Sequence, residues 1–271
     1  MTGADPFELQ AFEFLVLYSM LFAVAVVAGF AIAAFVRPEG NSAVLSKDDE
    51  LAYLAGGRPR LVETVLARML AAGQARIEKA KIHLAPTTAG AAGLERAILA
   101  LPSPANFGKV QGVLKDGANR IEYDLTARGL MMERAEAWRV GLLAALPLLL
   151  LLGLGLIRYQ FGVAAGRPVG FLAGFMVVTV IFAAVRVFAV DRRTKGGLAV
   201  VKEAKMRAER LKRAPTEAET GMAVALFGTA VLAGSPLADL HRMRQSDGGS
   251  GGDSGSSSDG GSGCGGGGCG G

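Results

Sequence analysis

Cys264 and Cys269 are the only cysteines of the 271-residue chain, five positions apart in a glycine-rich terminus. Thiols at that spacing can bind a metal, pair with each other, carry an acyl group or accept another modification. A structural zinc needs about four ligands, and no histidine stands near these two. A disulfide between them requires an oxidising compartment and staples no core. Acylation favours thiols beside a membrane segment, and these lie far along the chain from any long apolar run. Free solvated thiols are the simplest account. A flexible Gly/Cys/Ser stretch presented to a modifying enzyme or partner is the strongest functional one.

The other reactive residues do not form a recognisable catalytic set. His83 and His241 are the only histidines. The chain has no helix motif with paired zinc-binding histidines and no glycine loop ending in Lys and Ser/Thr. The pattern that places a serine on a nucleophile elbow is also missing. Asp48, Asp49 and Glu50 form a carboxylate cluster, but a helix beginning there explains it, because the helix dipole favours acids in the first turn. The composition therefore points to a non-enzymatic protein without a cofactor.

The elements around these residues are dominated by apolar runs. Phe14–Val36 holds 23 uncharged residues, Val140–Ile157 holds 18, and Phe171–Val190 carries one charge, Arg186. A bilayer core of roughly 30 Å takes about 20 helical residues. The expected fold is an all-α membrane protein with three transmembrane helices. A small α-rich cytoplasmic module and a disordered C-terminal tail complete it.

Basic residues orient the runs. Residues 37–139 carry 15 Lys and Arg, Asp191–Arg213 carries nine, and the turn 158–170 carries only Arg158 and Arg167. The positive-inside bias places residues 1–13 and 158–170 outside, and 37–139 and 191–213 in the cytoplasm. Arg37, Arg139, Arg158, Arg186, Arg192 and Arg193 read as membrane anchors at the span ends, Arg186 by snorkelling to the headgroups. Phe12 and Tyr18 suit the outer interface. Residues 1–13 contain no Lys or Arg, so the first run reads as an uncleaved anchor rather than a signal peptide. The bias also accounts for the net charge of +5 without a nucleic acid partner.

In the 37–139 module, Ser46 reads as an N-cap, Gly56-Gly57 as a helix end and Pro59 as a first-turn residue of the next helix. Ala75–Ala85 reads as a short β-hairpin. A helix near Ala89–Leu101 follows. Val110, Leu114, Ile121 and Leu125 mark a longer helix that runs on through Trp138 into the second span. Two helices and a hairpin suggest a winged-helix shape. The second helix offers only Arg60 and Arg68 against Glu63, too few basic side chains for a DNA-recognition helix. Gly153 and Gly155 allow close helix approach. Residues 191–213 read as a basic juxtamembrane helix, either lying on anionic lipid headgroups or simply solvated. Gly221–Gly234 is short for a span and reads as interfacial or re-entrant, with a fourth crossing as the alternative. Ser246–Gly271 has no apolar side chain other than its two cysteines, and so reads as the disordered tail.

The chain resembles a family of bacterial multi-pass membrane proteins to which no activity is attached. The resemblance rests on DPFELQAFEFLVLY before the first span and DELAYLAGGRPRLVETVLARMLAAG opening the loop. LERAILA, the two-span hairpin, GMAVALFG and the Gly/Cys terminus add to it. It implies a bacterial inner-membrane location and carries no catalytic residues. The expected function is a scaffold or interaction protein with an unidentified protein partner. The alternatives are a carrier of a modified or exported tail and a membrane-tethered DNA-binding regulator.

Overall fold

A computed structural model describes residues 11–43, 45, 47–85, 93–165, 170–213 and 215–247. Ser46 and both cysteines lie outside the described residues, as does most of the 1–13 segment. The described residues are mostly helical with one β-hairpin, and the chain forms two compact units, one from the residues up to Leu54 with Asn119–Arg207, the other from Ala55–Ala118 with the residues from Ala208 on.

The first unit contains three helices long and apolar enough to cross a bilayer: α1 (Ala11–Val36), α6 (Arg134–Ala164) and α7 (Gly170–Phe188). α6 packs against both α1 and α7. Their shared core holds Phe14, Tyr18, Ala25, Leu148, Leu151, Leu172 and Ala183. The outward faces stay apolar, with Val24, Val27, Leu150, Phe171 and Ile181 all exposed, the pattern of helices that meet lipid rather than water.

Tyr18 departs from its expected interfacial place. It is 1 % exposed inside the bundle, its hydroxyl 3.1 Å from Thr179 Oγ1. Thr179 spends its own proton on Phe175 O at 2.9 Å, so Tyr18 is the donor of the pair. A buried phenol needs a partner, and the bundle supplies one. Gly155 provides the close approach expected of it, since a Cβ there would lie 3.0 Å from the Tyr18 ring; Gly153 has no such neighbour.

The second unit is built around α2 (Asp48–Ala71), which belongs to it from Ala55 on. Gly57 has φ +68°, a left-handed conformation that breaks the helix at the expected dipeptide. Leu61, Val65, Leu66 and Met69 are fully buried, and Val62 and Glu63 nearly so. The helix is therefore a central core element, with Arg60 and Arg68 only partly exposed. Strands β1 (Ala75–Glu78) and β2 (Lys81–Leu84) form the hairpin in antiparallel register, Arg76 opposite His83 and Ile77 opposite Ile82. Ile82 and Ala105 exchange two main-chain hydrogen bonds at 2.9 and 2.8 Å, which fixes the hairpin to the core. Short helices α3 (Leu94–Leu99) and α4 (Phe107–Val113) follow.

The long helix expected from Val110 through Trp138 is in fact three pieces: α4, α5 (Lys115–Ala127) and α6, the last starting at Arg134. Gly129 turns the chain between the last two, at φ +74°. The segment 191–213 is also divided. α8 (Lys195–Arg207) ends before a 3-10 turn at Glu209–Lys212, and its Val200 and Val201 are buried against protein, not presented to headgroups. Gly221–Gly234 forms α9 (Thr220–Phe227) and a 3-10 turn, Thr229–Leu232, divided at Gly228. Ala223, Val224, Ala225 and Leu226 are buried in the second unit, so its apolar side chains serve a core rather than a membrane surface. α10 (Ala238–Asp247) closes the described chain, with Leu240 and Met243 buried.

Candidate functional site

The polar side chains of the first unit gather where the three apolar helices end. Three connecting stretches meet there: residues 37–41 after α1, 129–133 before α6 and 189–194 after α7. Main-chain hydrogen bonds lace them together. Asn41 N donates to Gly129 O at 3.1 Å, Lys195 N to Pro38 O at 3.0 Å and Gly196 N to Glu39 O at 2.7 Å. Met132 N donates to Arg192 O at 2.6 Å, and Thr194 N to Leu130 O at 3.1 Å. The result is a collar in which segments that no helix or sheet holds satisfy one another's backbone groups.

Thr194, 3 % exposed, joins two functions in this collar. Its hydroxyl donates to Gly129 O at 2.9 Å and accepts from Gly197 N at 3.1 Å, which caps the first turn of α8.

Glu122 is the electrostatic centre. It sits on the buried stripe of α5, one turn before Leu125, and is 9 % exposed. Oε2 accepts from the Tyr53 hydroxyl at 2.6 Å. Oε1 accepts from Arg192 Nη1 at 2.6 Å and from Arg134 Nη2 at 3.2 Å. Burial alone would raise the Glu122 carboxyl. The hydrogen bonds from Tyr53 and Arg192, with the charges of Arg192 and Arg134, outweigh it and hold the group at about 2. Arg192 continues the chain of contacts by donating through Nη2 to Met132 O at 3.1 Å. One carboxylate thus ties α2, the start of α6 and the exit from α7.

Two further acids complete the collar. Asp191 accepts a two-pronged bond from Arg193, at 2.9 and 2.8 Å, and lies 3.7 Å from Arg37. Burial opposes its ionisation, but Arg193 and Arg37 keep its carboxyl below the ordinary value. Glu50, one of the cluster expected at the start of α2, accepts from Arg128 at 2.9 Å. It therefore serves a tertiary ion pair as well as the helix dipole.

Of the six arginines expected as anchors, Arg37, Arg192 and Arg193 meet in this collar. Arg139 is exposed on α6. Arg158 lies toward the opposite end of the bundle, 5.1 Å above the Phe14 ring. Arg186 does not extend freely outward; it turns across to α1, donating to Gly29 O at 2.6 Å and lying 4.1 Å over the Phe30 ring. Tyr53, Glu122, Asp191 and Thr194 were not singled out by the sequence. Glu122 alone carried a signal, as an acid on a helix stripe with Leu114, Ala118 and Leu125.

The second unit holds its own polar groups. Glu63 accepts from Arg244 at 2.7 Å and lies 3.8 Å from Arg60, whose Nη1 donates to Val224 O at 3.2 Å. Arg244 also stacks 4.6 Å over Phe107, and Arg68 donates to Glu95 at 2.5 Å. Both basic side chains of the candidate recognition helix are thus engaged within the unit. His83 lines an open cleft of about 520 Å³ with Arg76, Glu78 and Asp239, whereas His241 Nδ1 pairs with Thr229 Oγ1 at 3.1 Å. Among the described residues, no three His, Cys, Asp or Glu side chains gather as a metal-ligating group. Comparisons with protein-family profiles, curated proteins and solved structures find no match.

Proposed function

We propose that this is a multi-pass membrane protein that acts through interactions rather than catalysis, using three spanning helices to hold a helical module at the cytoplasmic face of a bacterial inner membrane. The observation that carries the reading is the collar. Three lipid-compatible helices end together in a network of buried ion pairs and main-chain hydrogen bonds that fixes their exits. The same end carries Phe35, Trp138 and Phe188, all exposed, in the stretches that also carry Arg37 and Arg139. Aromatic and basic side chains at one level are the signature of a headgroup region, and the basic excess favours the inner leaflet. A collar of this kind supports a scaffold: its ion pairs are spent on one another, and their geometry fixes helix ends rather than activating a nucleophile.

The native assembly tests this reading. Membranes solubilised in mild detergent and resolved by native electrophoresis should carry the full chain in a discrete complex heavier than the chain with its detergent. Migration at the mass of the lone chain under every growth condition would remove the interaction role.

A further inference from the structure

Arg186 is placed at the wrong depth for a simple anchor. Gly29, whose carbonyl it binds, lies eight positions before Arg37 on α1, about 12 Å along the helix axis. The side chain is half-buried, and its Nε is buried with no acceptor. Among the described residues it has no carboxylate within ion-pair distance. Arg37, Arg192 and Arg193 all have one. Its guanidinium instead lies on Phe30, a ring exposed on the lipid-facing side of α1.

The site is also built to hold that geometry. A Cβ at Gly29 would meet Ala144 O at 2.6 Å and Arg186 Nε at 3.7 Å, so α1, α6 and α7 converge there with no room for a larger residue. The arginine is held at this crossing by Gly29 O and the Phe30 ring. A cation fixed below the headgroups and left without an acid draws a mobile anion toward it.

We propose that Arg186 is the centre of an anionic phospholipid site on the surface where α1 and α7 meet. A lipid phosphate accepts from Nη1, since Nη2 is used by Gly29 O and Nε is buried, and its acyl chains lie along Phe30 and the apolar faces on either side. Arg139, exposed and nearer the helix start, supplies only general attraction to the surface. The inference rests on the reading that the three helices span a bilayer.

The full chain reconstituted in phosphatidylcholine vesicles, with or without phosphatidylglycerol, provides the test. Protease protection of the three helices first secures the spanning reading. Native mass spectrometry should then show phosphatidylglycerol retained over phosphatidylcholine about fivefold, the discrimination one basic residue near an anionic surface gives. Phosphatidylglycerol should also raise the thermal midpoint. Arg186→Gln should abolish both preferences while Arg139→Gln keeps them. A merely structural Arg186 would lower the midpoint equally in both lipids. Inorganic phosphate added to the phosphatidylcholine sample should change nothing; stabilisation by it would assign the site to a free anion. Absence of lipid preference in the wild-type chain with its helices still protected would overturn the inference alone.

Discussion

Glu122 shows how much one side chain can organise when it is buried among partners of opposite charge. Removing its charge by Glu122→Gln leaves Arg192 facing a neutral amide in a largely buried place. The expected loss is about 2–3 kcal/mol of unfolding free energy, discounted from a fully buried pair because Arg134 is mostly exposed. Tyr53→Phe should cost about 1.5–3 kcal/mol, one hydrogen bond to a charged acceptor. Denaturant unfolding in a fixed detergent measures both. The acid dependence follows from the same carboxylate. Its folded value of about 2 lies below the ordinary 4.5, so its contribution is complete above pH 4.5 and is lost as pH falls toward 2. The loss amounts to about 3 kcal/mol at most. Glu122→Gln should flatten this acid limb, and an unchanged limb would show that other carboxylates control it. Thr194→Ala removes both the cap of α8 and the bond to Gly129 O, and should cost about 1–2 kcal/mol, with Thr194→Ser restoring most of it.

At the scale of elements, local signals were legible and long-range partners were not. The Gly56-Gly57 break, the Ala75–Ala85 hairpin and the positions of the three apolar helices follow from turn chemistry and composition, which act over a few residues. The partner of Tyr18 is Thr179, 161 positions away, and that of Tyr53 is Glu122, 69 positions away. An aromatic near the start of an apolar run looks interfacial until a third helix supplies its acceptor. The helix read from Val110 through Trp138 failed at Gly129, because the turn there is fixed by bonds from Asn41 and Thr194, far from it in sequence. Gly129→Ala should therefore be destabilising by about 1–2 kcal/mol, since φ +74° strains any residue with a Cβ. The apolar stretch at Gly221–Gly234 carried a membrane signal for a similar reason: composition does not distinguish a segment buried in protein from one buried in lipid. At the bundle crossing, Gly29→Val should push α1 away from Ala144 O and lower the thermal midpoint in detergent, whereas the same change at Gly153, where a Cβ meets nothing, should leave it nearly unchanged.

For the whole molecule, the proposed architecture sets the side of the membrane on which each segment lies. Three crossings place the collar, the helical module and the chain beyond Val190 together in the cytoplasm, with residues 158–170 outside. The cysteines make this accessible, because they are the only ones in the chain and both lie beyond the last described helix. A burial of Gly221–Gly234 within protein supports three crossings over four. The most direct measurement is labelling of intact cells with a membrane-impermeant thiol reagent, using the natural Cys264 and Cys269 and, in a Cys264→Ser/Cys269→Ser background, a reporter introduced by Arg167→Cys. The account predicts that Arg167→Cys labels from outside, while Cys264 and Cys269 label only after the membrane is opened. Labelling of Cys264 and Cys269 in intact cells, or protection of the position-167 reporter in intact cells with labelling once the membrane is opened, would contradict it.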